Sequence, residues 1–544
     1  MTKTRILWCG ESSHIKSGFG NYTRCVLQYL YNTGKYEIAE LSGYRDASVP
    51  KIEPWTVFPV AVKKSDPLFE KYNSNPHNQF GQWRFDLAVL KFKPHIVIDV
   101  RDYWNFVFQE TSPLRPFYHW LICPTYDSSP PIISALNGFH NADTLCFHTE
   151  WAMNDLKNNL HYKANNIGGI LNDAVDHTVF KPLNNKNNLR EKLGLPKDAF
   201  IVGSVMRNQK RKLIPDILET FSNLCKIKKD KNLILYLHTS YPDALAWDIP
   251  SLLIEYNITD KVWFTYTCRN CEKSFSSVYQ GDRPVCRKCL QKKCCLSNVK
   301  HGTSPEELAE IYNTFDIYLQ YAICEGFGIP PVEAAACGIH VVTMDHEAMG
   351  EVGKKINATL VPIKTMFREL ETNAKRALPD NDYLLEVLLH FIDNGKEKLE
   401  MMGQKAHTYC KENFCWTETA KKFEKLIDNI DINQKLSWNA KERGVNTNIN
   451  VNSGSGFRNV LHQVVNDIIK DPFLQSTEFI ENLIKNSNDG VVHQNGIGLQ
   501  FDIQKAIKIL EMYMMNKVSI ETLRTNNNLG LKPELTDFLN YGSK

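Results

Sequence analysis

Four cysteines are the first residues whose spacing names a chemistry. Cys268-x2-Cys271 is followed, fourteen residues later, by Cys286-x2-Cys289. Each C-x2-C sets two thiolates on one knuckle, and two knuckles complete a tetrahedral site of the kind that holds structural zinc. Four thiolates leave no open coordination position, so the metal would fold the segment rather than activate water. Cys294 and Cys295 lie just outside, as spare thiols or alternative ligands. The other nine of the fifteen cysteines are scattered singly, which reads as reduced thiols of a cytoplasmic protein.

A second constellation runs Glu325-Gly326-Phe327-Gly328-Ile329-Pro330-Pro331-Val332-Glu333 and closes at Gly338. Its grammar is strand, glycine loop, helix. Gly326 and Gly328 let backbone N–H groups approach a ligand. Pro331 suits the first helical position and Gly338 the end. Such a helix N-terminus, with its free N–H groups and positive dipole, suits a diphosphate. Glu333, expected in the first turn, is placed to accept hydrogen bonds from a ribose diol. Glu325 stands nearer whatever extends beyond the phosphates. The plain structural alternative is a capped helix with both glutamates solvated.

Two further loops carry candidate groups. Met206-Arg207-Asn208-Gln209-Lys210-Arg211-Lys212 follows an apolar strand and offers cations, with the inward-facing one among its last three residues left open. Ser17-Gly18-Phe19-Gly20 joins the first strand to the first helix. The six-residue dinucleotide fingerprint is not completed there, because Thr23 occupies the third glycine position, which argues against a dehydrogenase.

The elements that must position these groups alternate. Arg5–Cys9, Tyr36–Leu41, His95–Val100, Phe117–Cys123 and Thr144–His148 read as strands, with a helix over Asn21–Tyr31. A second series begins at Phe200–Val205 and continues through Ile214–Cys225 (helix), Leu233–His238, Lys261–Tyr266, Pro305–Phe315 (helix), Asp316–Tyr321, Pro331–Cys337 (helix) and Ile339–Met344. Ser304 and Glu307 have capping-box spacing. Repeated β-α-β alternation implies parallel sheets covered on both faces, here two doubly wound Rossmann-like domains facing a cleft. Thr417–Ile430 is expected to close this unit. The boundaries read as 1–180 and 181–430 for the two domains, 266–298 for the cysteine insertion, 431–456 for an Asn-rich linker and 457–544 for a helical tail.

Composition excludes other classes. Of 544 residues, 64 are Lys or Arg and 61 Asp or Glu, a net charge of +3, so the chain as a whole is no polycation. No apolar run approaches the length of a membrane span, and Ile6–Cys9 is too short for a signal peptide.

With these residues in view, the Glu325–Glu333 segment resembles the E-x7-E segment of retaining, nucleotide-sugar-dependent glycosyltransferases of the GT-B fold, close to glycosyltransferase family 4 (group 1). The resemblance covers roughly residues 1–430 apart from the cysteine insertion. It implies that Arg207 and Lys212 hold the donor diphosphate without a catalytic metal, that Gly18 and Gly20 form the family's glycine-rich loop, and that the Gly326-Phe327-Gly328 backbone assists. It implies further that Glu333 holds the ribose and that Glu325 contacts the donor sugar. Two places depart from the family. Arg101-Asp102 stands where many members show His-Asp. Cys123-Pro124-Thr125-Tyr126-Asp127 stands where many have a histidine near the reacting sugar, which makes Asp127 the candidate there. Transfer with retention is implied, the leaving phosphate assisting deprotonation of the acceptor hydroxyl.

The residues leave the base, the sugar and the acceptor open: a glycan, a protein or a lipid-linked acceptor. Residues 268–300 carry eight Lys or Arg against Glu272 and Asp282, so a basic zinc ribbon could also serve transfer to a modified base of DNA or RNA. A nucleotide-sugar sensor or scaffold without transfer is the reading from another class, motivated by the two departures.

Overall fold

The computed structural model describes residues 3–435 and 438, apart from residues 16, 106, 113, 128, 160, 161, 163, 164, 244, 245, 282, 299 and 300. The expected tail, and the expected linker apart from its first five residues and Trp438, lie outside the described residues.

Seven strands form the first sheet: β1 (Thr4–Glu11), β2 (Tyr36–Asp46), β3 (Thr56–Ala61), β4 (Ile96–Asp102), β5 (His119–Thr125), β6 (Thr144–Phe147) and β7 (Ile167–Ile170). All pair in parallel, in the order β3-β2-β1-β4-β5-β6-β7. Burial on both faces explains the continuous apolar strands. In β1, Ile6 and Trp8 join one core, with Tyr22 and Val26 of the helix Gly18–Asn32, while Leu7 and Cys9 join the other, with Phe85 and Val89 of the helix Gln82–Phe92. β3 and the helix Gln82–Phe92 were not among the sequence expectations.

The second sheet is built from β8 (Phe200–Val205), β9 (Leu233–His238), β10 (Val262–Cys268), β11 (Ser274–Val278), β12 (Cys294–Leu296), β13 (Ile317–Gln320), β14 (His340–Met344) and β15 (Thr359–Val361). Its order is β11-β10-β9-β8-β13-β14-β15, and β12 also pairs with β10. The β11 and β12 pairings are antiparallel. β10 first pairs with β9 through Val262–Phe264, then with β12 through Tyr266–Cys268. The cysteine insertion therefore continues the sheet instead of hanging from it. Its Cys268, Phe275, Cys286, Cys294 and Leu296 share one core with Ile214, Ile217 and Val262. A separate hairpin, β16 (Ile363–Arg368) with β17 (Lys375–Pro379), follows.

The last helix, Trp416–Asp428, falls by the expected boundaries within the second domain, 181–430. It packs instead on the first sheet's side: Phe423 lies 5.4 Å from Trp8, Trp416 meets Tyr22 edge-on at 5.1 Å, and Lys35 pairs with Asp428 at 2.8 Å. Beyond it, Trp438 stacks on Phe117 at 4.6 Å and donates to the Pro94 carbonyl at 2.9 Å, and Lys435 pairs with Asp143 at 2.6 Å. The chain thus straps the two sheets together.

Candidate active site

Both sheets reverse their strand order once, between β1 and β4 and between β8 and β13. A crevice opens beyond the C-terminal ends of strands at such a point, and ligands of open α/β sheets bind there. The candidate residues sit at these two points. Glu11 ends β1 and Asp102 ends β4; Met206–Lys212 follows β8, and the Glu325 loop follows β13.

In the second domain the buried centre is an ion cluster. Lys212 Nζ pairs with Glu325 Oε1, Arg211 Nη1 reaches Glu325 Oε2 at 2.8 Å, and Gln320 Nε2 donates to Glu325 Oε1 at 3.2 Å. Lys212 is 5% exposed and Glu325 7%. Burial alone would raise the Glu325 carboxyl, but Arg211 and Lys212 outweigh it and hold it at about 2. Burial lowers the Lys212 ammonium, opposed by Glu325. Two cations against one carboxylate leave local positive charge. Trp247 fixes the loop from outside, donating to the Lys212 carbonyl at 2.6 Å, while Asn208 bonds the Trp247 backbone in both directions at 3.0 and 3.1 Å. The inward-facing cations left open by the sequence are thus Arg211 and Lys212. Arg207 stands apart, with its side chain 56% exposed and its Nε 3.3 Å from Asp243.

The loop after Glu325 runs into the helix Ile329–Ala336. Gly328 caps it with φ +93, a conformation that favours glycine. Helix entry is two residues earlier than expected: Pro331 is its third residue, and Glu333, its fifth, lies beyond the first turn. Glu333 Oε2 accepts from Tyr312 Oη at 2.8 Å, and burial pushes its carboxyl up to about 7. Phe327 turns its ring into the core, 5.3 Å from Phe414, so only its backbone faces the cleft.

The first domain meets this loop closely. A Cβ on Gly326 would lie 2.5 Å from Thr125 Cγ2, and one on Gly18 would lie 3.1 Å from Ile329 Cδ1. Gly18 and Gly326 are therefore small because the two lips touch. Gly20 has a different reason, because its Cβ would strike the Ile15 carbonyl oxygen at 2.2 Å, inside its own turn. Expected as part of a ligand loop, Gly20 serves the strand–helix turn. Ser17 caps the helix, accepting from Gly20 N at 3.0 Å, and donates to Glu11.

Acids line this lip. Burial raises the Glu11 carboxyl, with Ser17 and Arg207 opposing. Asp102 is pushed up to about 6 by burial and then by Asp127. Asp127 accepts from Cys324 Sγ at 3.6 Å, and its carbonyl accepts from Arg376 of β17, so this candidate does reach the second domain. Lys375 N donates to the Ser129 carbonyl at 2.9 Å along the same seam. Arg101 is no site residue: buried, it bonds Asp99 and the Phe80 carbonyl. Sequence reasoning missed Glu11, Gln320 and Arg376. The strand-end rule points to Glu11; nothing local marks Arg376, which arrives from a distant hairpin.

The four cysteines converge. Cys268, Cys271, Cys286 and Cys289 place their Sγ atoms within 4.8 Å of one another. Cys268–Cys289 and Cys271–Cys286 are 3.6 Å apart. Backbone N–H groups of Asn270 and Lys288 point at Cys268 and Cys286 Sγ, each at 3.4 Å. That set of soft donors, with N–H support for thiolates, fits a metal held by four sulfurs. Cys294 is buried in β12 beside this set, and Cys295 Sγ contacts the Thr267 carbonyl and Asn298. All fifteen thiols are free.

Comparisons agree with this architecture. Residues 281–398 match the family model described as glycosyl transferases group 1. Among solved structures, sucrose-phosphate synthase from Thermosynechococcus elongatus is 17% identical with a TM-score of 0.56, covering 78% of this chain and 98% of that one. HepE from Anabaena, in complex with UDP-glucose, is 13% identical with a TM-score of 0.54, covering 78% and 100%. WaaG, a glycosyltransferase involved in lipopolysaccharide biosynthesis, is 12% identical with a TM-score of 0.51, covering 78% and 100%. No curated protein matches the sequence. The chain has the GT-B fold and resembles group 1 glycosyltransferases. Among the described residues no helix is long and apolar enough to cross a membrane.

Proposed function

We propose that the protein transfers a sugar from a nucleotide-diphosphate sugar to an acceptor hydroxyl, with retention of configuration. The observation that carries this is the Lys212–Glu325–Arg211 cluster at the second sheet's switch point, beneath the Gly326–Gly328 loop. A diphosphate needs cations and free N–H groups together, and here two cations share one carboxylate at a helix N-terminus. Lys212 and Arg211 meet the diphosphate, and Arg207 swings from Asp243 to join them. Glu325 keeps the cations fixed and faces the donor sugar. Glu333 accepts from the ribose once ionised. Gly18 supplies close approach from the opposite lip.

In the reaction the bond from the anomeric carbon to the phosphate oxygen breaks. The acceptor oxygen bonds the same face, and its proton passes to the leaving phosphate. No separate base is needed, so the absence of a histidine at Asp127 is compatible with turnover. Asp127 positions the acceptor hydroxyl beside the sugar. We assign zinc to the four cysteines, in a structural role, and a reducing compartment suits the free thiols.

Thermal unfolding against UDP-, GDP-, ADP- and CDP-sugars tests this, beginning with UDP-glucose because HepE was solved with it. A ligand at about 100 times its Kd adds about 2.7 kcal/mol. Selective stabilisation by one nucleotide family, lost in Arg207→Ala and Glu333→Ala, is the expected result. No stabilisation by any of them overturns the donor site. Donor binding with neither transfer nor hydrolysis would point to the sensor reading.

A further inference from the structure

The cysteine insertion carries a surface that the donor site does not use. Its second knuckle is a compact loop, closed by Cys286 N to the Gln291 carbonyl at 2.9 Å and Cys294 N to the Pro284 carbonyl at 3.3 Å. Both knuckles end on a residue with positive φ, Glu272 at +55 and Leu290 at +57. At the second, the residue is apolar and held outward: Leu290 is 77% exposed, and Val285 across the loop is 51% exposed. Around them Arg283, Lys288, Lys292 and Lys293 are exposed, and among the described residues none of these four side chains pairs with a carboxylate. Lys273 and Arg287 are different. Lys273 lies 3.9 Å from Glu307, and Arg287 packs over the Phe275 ring at 5.2 Å and against Gly194, which seats the insertion on its domain.

We propose that this knuckle is a docking surface for an anionic lipid bilayer. Apolar tips ringed by cations match an interface in which short apolar side chains enter the headgroup region while lysines meet lipid phosphates. Charge complementarity alone would also fit a nucleic acid. However, the insertion's aromatic rings are withdrawn: Phe275 is buried under Tyr266, and Tyr279 packs on Phe264, so no stacking platform is exposed for bases. An exposed Leu290 gains nothing from a phosphate backbone and does gain from a bilayer. The metal site below supplies the rigidity that keeps the tips outward.

Vesicle flotation of the whole, metal-loaded protein tests this. The probes are vesicles of phosphatidylcholine alone and of phosphatidylcholine with phosphatidylserine, and a duplex RNA serves as competitor. Binding to the anionic vesicles only is expected, weakening with salt. Lys288→Glu with Lys292→Glu should reduce it at least tenfold, and Leu290→Ser should reduce it with no change in net charge. Both variants must keep full metal content and the donor-induced thermal shift, which separates this surface from the donor site. Absence of anionic-vesicle binding, binding untouched by either variant, or a duplex that displaces the vesicles would each overturn the proposal.

Discussion

The two lips of the cleft are built alike and charged oppositely. Each lies at a switch point between parallel strands. The first presents Glu11, Asp102 and Asp127; the second presents Arg207, Arg211 and Lys212, while Arg376, from a hairpin, is paired with Glu369 at 2.8 Å. Burial has opposite outcomes at one carboxyl of each, although it also raises Glu333 on the second. On the first lip nothing outweighs it, so Asp102 rises to about 6. On the second, two cations outweigh it, so Glu325 falls to about 2. On the proposed function, a doubly anionic donor binds the second lip, and the first is left for a neutral acceptor hydroxyl whose proton goes to the leaving phosphate.

The sharpest test removes the second lip's buried cation. Lys212→Met leaves Glu325 with Arg211 alone, and breaking a buried pair costs about 3–5 kcal/mol. Urea unfolding should show this, with transfer reduced at least a hundredfold. Asp102→Asn on the first lip, which removes an acid already disfavoured by burial, should cost less than about 1 kcal/mol. Equal costs would break the comparison. Next in size is the metal. Cys286→Ser should destabilise the chain by more than about 2 kcal/mol, because the insertion shares the second domain's core, and metal analysis should read one site lost. Retained metal content would remove the site.

Arg207→Ala is expected to lower donor affinity about ten- to a hundredfold, the worth of a charge-assisted hydrogen bond, at unchanged melting temperature. A fall in melting temperature instead would make Arg207 structural. The smallest effects are those of pH. Glu333 is raised from 4.5 to about 7, so the folded chain keeps a proton that the unfolded chain has released. Its contribution is full below 4.5 and is lost as pH rises to about 7. Glu325, lowered from 4.5 to about 2, behaves oppositely: its contribution is present above 4.5 and is lost as pH falls to about 2. Donor affinity, which needs ionised Glu333, should rise with pH and level off above about 7. Glu333→Gln should flatten that rise, and a persistent slope would remove Glu333 from the site. Tyr312→Phe should cost about 1 kcal/mol and push the inflection higher.

Local chemistry made much of this legible from the chain alone. The C-x2-C pairs, the Gly-Phe-Gly loop between strand and helix, and the alternation of apolar strands with amphipathic helices are short-range patterns. Sterics and hydrogen bonding read them the same way in any context. They sufficed for two doubly wound domains, the four-sulfur cluster and the neighbourhood of Glu325. What they left open depends on contacts distant in sequence. The inward turn of Arg211 and Lys212 is decided by a carboxylate that lies 113 residues beyond Lys212. The size limit on Gly326 is set by Thr125, and that on Gly18 by Ile329. Arg376 reaches Asp127 because a hairpin crosses the seam, and the last helix returns to the first sheet because Phe423 buries against Trp8. Spacing fixes which groups the chain carries; charge compensation and packing across the cleft, which exist only once both sheets are formed, decide which of them meet.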